Sequence, residues 1–171
     1  MLDQTEITIR LARDEDFDAL WPILRGVIRA GDTYTIDPGL TREAVLDLWM
    51  RAPRATYVAE SDGEILGTYY IKTNQPGGGA HVCNCGYMVA PAARGRGIAR
   101  AMCLASQEQA RAMGYLAMQF NFVVATNLGA IGLWQSLGFE TVGRLPRAFA
   151  HPDQGLVDAL VMYKWLGDGA G

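Results

Sequence analysis

The segment Pro91-Ala92-Ala93-Arg94-Gly95-Arg96-Gly97-Ile98-Ala99 constrains this chain more than any other. It joins an apolar, strand-like stretch, Ala80 to Val89, to a helix-like one, Ile98 to Met113, which Gly114 stops. Two glycines let backbone approach a ligand with no Cβ in the way. A helix beginning at once exposes unpaired N–H groups and the positive end of its dipole, so the turn suits an anion. Arg94, Arg96 and Arg100 concentrate positive charge there, in a chain whose net charge is -3. The plain alternative is a tight strand-to-helix turn with solvated arginines. Two familiar phosphate loops are excluded. Arg100 stands where a dinucleotide fingerprint needs Gly or Ala, and no Gly-Lys-Ser/Thr run occurs.

The rest of the chain supplies a sheet for this turn to sit on. Ile7 to Leu11 alternates apolar and polar residues, a half-buried strand. Asp14 reads as an N-cap for a helix carrying Phe17, Leu20, Trp21, Leu24 and Ile28, with Pro22 inside it and Gly31 at its end. Thr41-Arg42-Glu43 opens a second helix with Val45, Leu48 and Trp49 on one side. Ala55 to Glu60 and Ile65 to Lys72 form a hairpin about Asp62-Gly63, and Pro76 to Gly79 is a flexible turn. After the loop and its helix come a strand, Leu116 to Val124, and a helix, Asn127 to Leu137, closed by Gly138. Two strands end the chain, near Phe139 to Arg144 and Val157 to Trp165. This order predicts an α+β, α/β-like domain: a mixed sheet with helices on both faces and the strand Ala80 to Val89 at its centre.

Composition narrows the function classes. Of 171 residues, half are hydrophobic and 19% are charged, which predicts one globular domain over residues 1–171. The acidic balance leaves no footprint for nucleic acid, and no apolar run is long enough for a membrane helix. Met1-Leu2-Asp3-Gln4-Thr5-Glu6 is neither a signal nor a transit peptide, and three cysteines argue against a disulfide framework, so a cytoplasmic protein is expected. His81, Cys83 and Cys85 share one face of a strand. At that spacing they stand about 7 Å apart, too far to hold one ion, so no metal is expected. His151 reads as an exposed loop residue.

A second motif lies downstream: Asn127-Leu128-Gly129-Ala130, then a helix ending in Leu137-Gly138-Phe139. Together with Arg94-Gly95-Arg96-Gly97-Ile98-Ala99, it resembles the paired signatures of the GCN5-related N-acetyltransferase (GNAT) superfamily, Arg/Gln-x-x-Gly-x-Gly/Ala and Asn-x-x-Ala. The strand and helix order from Ile7 to Trp165 fits as well. The resemblance implies a mixed, mostly antiparallel sheet flanked by helices, and acetyl-CoA as cosubstrate. Backbone amides from Arg94 to Ala99 would then cradle the coenzyme pyrophosphate. The strand at Met88 and Val89 would pair with the pantetheine arm and offer an N–H to the thioester oxygen. Asn127 would hold the pantetheine. Asn127 also reads independently as an N-cap, and both readings stand together.

Transfer from a thioester to an amine needs a neutral amine, donors for the oxyanion and help for the departing thiolate. Members of the superfamily usually transfer directly, so proximity carries much of the rate. Many relatives have a tyrosine acid where this chain has Trp134, which reads as a packing or pocket-wall residue. Where relatives often have a glutamate base, this chain has Asn84, which can orient an amine or water but not accept a proton. Asn121, between Phe120 and Phe122, reads as a second amide in an apolar setting. Two core asparagines bonded to backbone are the plain alternative. Asn84, Asn121 and Asn127, with the run Gly138 to Pro146, resemble the yeast-type azetidine-2-carboxylate N-acetyltransferases, which act on small cyclic imino acids. That would make Asn84 and Asn121 acceptor-site groups. The thiolate is expected to leave with help from hydrogen bonds and water, with Asn127 as one donor to it. Tyr34, Thr35, Tyr69 and Tyr70 are further pocket candidates. A small amine or imino acid is the expected partner, and a homodimer is allowed. A non-catalytic acetyl-CoA-binding module and a protein N-terminal acetyltransferase remain as alternatives.

Overall fold

The computed structural model describes residues 6–168, so the N-terminal reading of Met1 to Thr5 lies outside the described residues. Seven strands form one sheet in the order β1-β2-β3-β4-β5-β7-β6. They are β1 (Thr8–Leu11), β2 (Ala55–Ser61), β3 (Glu64–Thr73), β4 (Val82–Val89), β5 (Ala117–Val124), β6 (Glu140–His151) and β7 (Gly155–Trp165). β4 is the fourth of these, at the centre as expected. Only its pairing with β5 is parallel; every other neighbour is antiparallel. The β2–β3 hairpin turns at Asp62 (φ +51°) and Gly63 (φ +78°), the pair of positive φ values that matches the twist of a two-residue hairpin.

Helices cover both faces. α1 (Phe17–Ala30), α2 (Arg42–Leu46) and the turn that follows α2 bury Phe17, Leu20, Leu24, Val45 and Trp49 against Val58 of β2 and Met88 of β4. Trp49 anchors this layer: it is 1% exposed, and its indole N–H donates to Thr68 Oγ1 at 3.0 Å. On the other face α3 (Ile98–Ala112) and α4 (Leu128–Ser136) pack Ile98, Met102 and Trp134 against Tyr69, Met118 and Phe120. α1 runs unbroken through Pro22.

Three local expectations change. Asp14 does not cap α1; it begins a short 3-10 turn, Asp14–Asp16. Asp16 stands at the N-cap position of α1 without a side-chain cap bond; its carboxylate instead turns back to take the Arg13 N–H at 2.7 Å, while Arg10 pairs with both Asp16 and Glu60 and ties the turn to β2. Arg10 holds the Asp16 carboxyl below the usual carboxylate range. Leu48 is 39% exposed because α2 runs into a π turn, Asp47–Arg51, closed by Ala52 N–H on Asp47 C=O at 2.8 Å. The wider turn keeps Val45 and Trp49 inside and rotates Leu48 out. Finally, β6 extends to His151, which is half-buried rather than exposed and accepts the Asp153 N–H on Nδ1 at 3.1 Å.

Candidate active site

The parallel pair at the centre of the sheet is short. β4 meets β5 only at Val82↔Ala117 and Cys83↔Met118, although both strands continue for several residues. Which backbone groups this leaves open follows from alternation along the strand. His81 C=O accepts from Leu116 on the β5 side, while Val82 C=O accepts from Asn74 and Ala90 N–H donates to Leu66 on the β3 side. Odd-numbered residues of β4 therefore turn their N–H and C=O towards β5, and even-numbered ones turn towards β3. Past the divergence, Cys85, Tyr87 and Val89 face an open gap. Met88, expected beside Val89 as a coenzyme contact, pairs with Thr68 in the β3 ladder and is 2% exposed under α1. Of the two, Val89 turns its N–H and C=O towards the gap and Met88 turns its own towards β3.

Asn84 stands where the strands part. Its Nδ2 donates to Gln119 C=O at 2.9 Å. In a continued parallel ladder that carbonyl would accept from the Cys85 N–H, so the asparagine amide occupies the place of the next rung. Its Oδ1 accepts from the Tyr70 hydroxyl at 3.2 Å, and the residue is 6% exposed. This is a buried amide satisfied at both ends, as burial demands.

A cavity of about 270 Å³ opens at this point. Its walls come from the segment after α1 at Thr33 to Thr35, from Tyr70 and Lys72 of β3, from the parting strands, and from Asn127 and Trp134 of α4. Asn84, Asn121 and Asn127 all line it, as do three of the four further candidates, Tyr34, Thr35 and Tyr70. Tyr69 does not. It stacks on Tyr57 at 5.0 Å under α3 and hydrogen-bonds Gln109. Asn121 corrects the expectation of a buried amide: it is exposed, accepting from Gln119 Nε2 at 2.9 Å and donating to Asn74 Oδ1 at 2.7 Å. The reason is a register shift in β5 against β7 between Phe120 and Val123, which leaves Phe120 in the core and Asn121 on the rim. Trp134, 8% exposed, packs 5.1 Å from both Tyr87 and Phe120 and forms wall, not an acid.

Aromatic packing fixes the floor. The Tyr70 ring meets Trp49 edge-on at 4.9 Å and crosses Gly86, where an added Cβ would come within 2.8 Å of it. Tyr34 donates to Tyr87 C=O at 2.7 Å, occupying one group of the open edge. Burial pushes the Tyr70 hydroxyl up to about 12 and Tyr34 higher still, so both remain protonated donors at neutral pH. Burial likewise raises the Cys85 thiol, which makes it a poor nucleophile. Among the described residues, no carboxylate or imidazole lines the cavity.

Beyond Val89 the chain enters the glycine-arginine loop. Gly95 and Gly97 have φ of +76° and +79°, a region that strongly favours glycine, and Gly97 is the residue before α3. Among the described residues, the N–H groups of Gly95, Gly97, Ile98, Ala99 and Arg100 have no backbone or side-chain acceptor. Ile98 is buried under the sheet and anchors the turn, while Arg94, Arg96 and Arg100 are exposed. Arg100 also reaches Ser136 Oγ at 3.2 Å, linking α3 to α4. Asn127 accepts from Ala130 N–H at 3.3 Å as the α4 cap, which leaves its Nδ2 free to donate into the cavity. Sequence reasoning missed Thr33 and Lys72. The period-two alternation that puts Tyr70 and Lys72 on one face of β3 was the signal for Lys72, because it shares that face with its partner Asn84.

Comparison with known proteins agrees with this geometry. The model of the acetyltransferase (GNAT) family matches residues 19–139. The chain is 32% identical over 168 residues to the N-acetyltransferase aca1 of Schizosaccharomyces pombe, covering 87% of this chain and 79% of that protein. A GCN5-related N-acetyltransferase from Kribbella flavida superposes with a TM-score of 0.89 at 45% identity, covering 93% of this chain and 97% of that one. The fold also matches yncA of Salmonella typhimurium, a structure with its cofactor acetyl-CoA, at TM-score 0.85 and 22% identity, covering 97% of each chain. The chain belongs to the acetyltransferase (GNAT) family. By class it is an N-acetyltransferase.

Proposed function

We propose that this acetyl-CoA-dependent enzyme acetylates a small amine or imino acid by direct transfer, within a single domain over residues 1–171 that works in the cytoplasm. One observation carries the reading. The gap between β4 and β5 has an acceptor-sized cavity at its closed end, and β4 leads from its open end into a loop with five free amides. The coenzyme pyrophosphate sits on the amides of Gly95 to Arg100. Its pantetheine arm pairs with the open edge of β4 at Tyr87 and Val89, whose N–H groups also serve the thioester oxygen. Asn127 Nδ2 donates to the arm or to the departing sulfur.

The acceptor occupies the cavity, where Asn84 and Asn121 orient it. Its nitrogen attacks the thioester carbon, the C–S bond breaks, and the amine proton leaves through water because no carboxylate or imidazole is among the described lining residues. The thiolate departs on hydrogen bonds and water. The small cavity supports a compact acceptor over a peptide chain. Free-thiol release from acetyl-CoA should be followed with simple amines, proline analogues and peptides across pH. Turnover should be confined to small acceptors and rise with pH as the amine deprotonates, without a limb from the protein between pH 6 and 9. Coenzyme binding with no turnover on any amine would mark a binding module instead, and faster turnover of peptides would reverse the acceptor assignment.

A further inference from the structure

Among the described residues, Lys72 is the one charged residue lining the cavity. It stands opposite Asn84 in the β3–β4 register, so both side chains lie on the same face of the sheet. Its ammonium lies 5.2 Å from the centroid of the Tyr70 ring. That ring is held in turn by Trp49 at its edge, by the absence of a side chain at Gly86 and by its hydroxyl on Asn84. Lys72 is exposed, and a cation over an aromatic face is attracted to it, so this arrangement draws the flexible lysine towards the ring. Among the described residues no carboxylate pairs with Lys72. The chain's other lysine, Lys164, is engaged by Gln107 Oε1 at 2.6 Å and Leu137 C=O at 2.7 Å. The rest of the cavity lining is neutral: hydroxyls, amides and apolar groups.

We propose that Lys72 is the anion-recognising group of the acceptor site, and that the acceptor is therefore an amino or imino acid bound through its carboxylate. This deepens the proposed function and rests on its placement of the acceptor in the cavity. A positive charge in a lining without negative charge favours a ligand that carries the missing one. It also disfavours a protonated amine at that end of the cavity, which orients the acceptor: carboxylate towards Lys72, nitrogen towards the gap where the thioester lies. Thr33 and Thr35 add hydroxyl groups to the lining of the same cavity.

The test compares matched pairs, proline with prolinamide and alanine with alaninamide, in wild type, Lys72→Met and Lys72→Arg. Binding to the coenzyme A-loaded protein is measured by calorimetry, and acetyl transfer by thiol release. Acid and amide differ in amine basicity, but that difference cancels in the ratio of ratios between proteins. The wild type should prefer each acid, and Lys72→Met should shrink the preference about tenfold or more, mostly in KM. Lys72→Arg should keep part of it, and acetyl-CoA affinity should not change. Equal acid preference in wild type and Lys72→Met overturns the inference, as does a loss of coenzyme affinity, which would place Lys72 on a coenzyme phosphate. Lys72-dependent binding of the acid without any transfer supports the anion site while contradicting the enzymatic reading. Transfer to amines with no charge preference does the opposite.

Discussion

Asn84 shows how much a single residue can decide. Its amide takes the carbonyl that would otherwise extend the β4–β5 ladder, so the same contact that satisfies a buried group also marks where the gap begins. Removing it leaves Gln119 C=O and the Tyr70 hydroxyl without this partner. Asn84→Ala should therefore cost about 1–3 kcal/mol in urea unfolding, with turnover about ten- to a hundredfold lower. Asn121 is on the rim and exposed, so its loss should leave stability within about 0.5 kcal/mol while raising the acceptor KM. Unchanged kinetics in Asn121→Ala would remove it from the site. The sequence placed both asparagines at the acceptor end without distinguishing them. The difference lies in the β5 register shift, a property of pairing with β7 that no local pattern in β5 announces.

At the scale of elements, the pieces that announce themselves are those with chemistry at their ends. The Asp62-Gly63 hairpin, the α3 start at Gly97 and the α4 cap at Asn127 follow from turn and cap rules applied to short windows. The pieces that do not are set by distant partners. The π turn after α2 serves the burial of Trp49 on Thr68, and the 3-10 turn at Asp14–Asp16 is held by Arg10, which bridges Asp16 to Glu60 of β2. Asn127 allows a clean separation of structural and coenzyme roles. Aspartate caps a helix as well as asparagine but has no amide donor. Asn127→Asp should thus keep the thermal stability of wild type and still weaken acetyl-CoA binding or slow transfer, whereas Asn127→Ala should also lose about 1 kcal/mol of stability. If the aspartate variant behaves as wild type in both binding and turnover, the Nδ2 donor has no role and the residue is a cap alone.

For the whole molecule, the site exists because the sheet divides. Helices on two faces hold β4 and β5 in one sheet, yet only two residue pairs join them, and the opening sets backbone edge, cavity and loop in a line. The order of elements was legible because each carries its own period. The depth of the divergence was not, because it depends on which rung Asn84 replaces. Nor was the orientation of Met88, which follows from the parity of the ladder with β3. The loop itself was readable from its residues, and the structure adds that both glycines sit at positive φ with open space where a Cβ would point.

That space is where the account places the coenzyme pyrophosphate, and Gly97 is where it can be tested most directly. A Cβ added there meets nothing within 4 Å beyond its chain neighbours, so the cost of a valine to the fold is chiefly backbone strain at φ +79°, while its side chain enters the space assigned to the anion. Calorimetric titration of wild type and Gly97→Val with coenzyme A, each checked for a folded circular dichroism spectrum, separates the two. The account predicts affinity at least about tenfold weaker in the variant, with binding of pantetheine, which lacks the diphosphate, unchanged. Equal coenzyme A affinity in a folded Gly97→Val protein would contradict it.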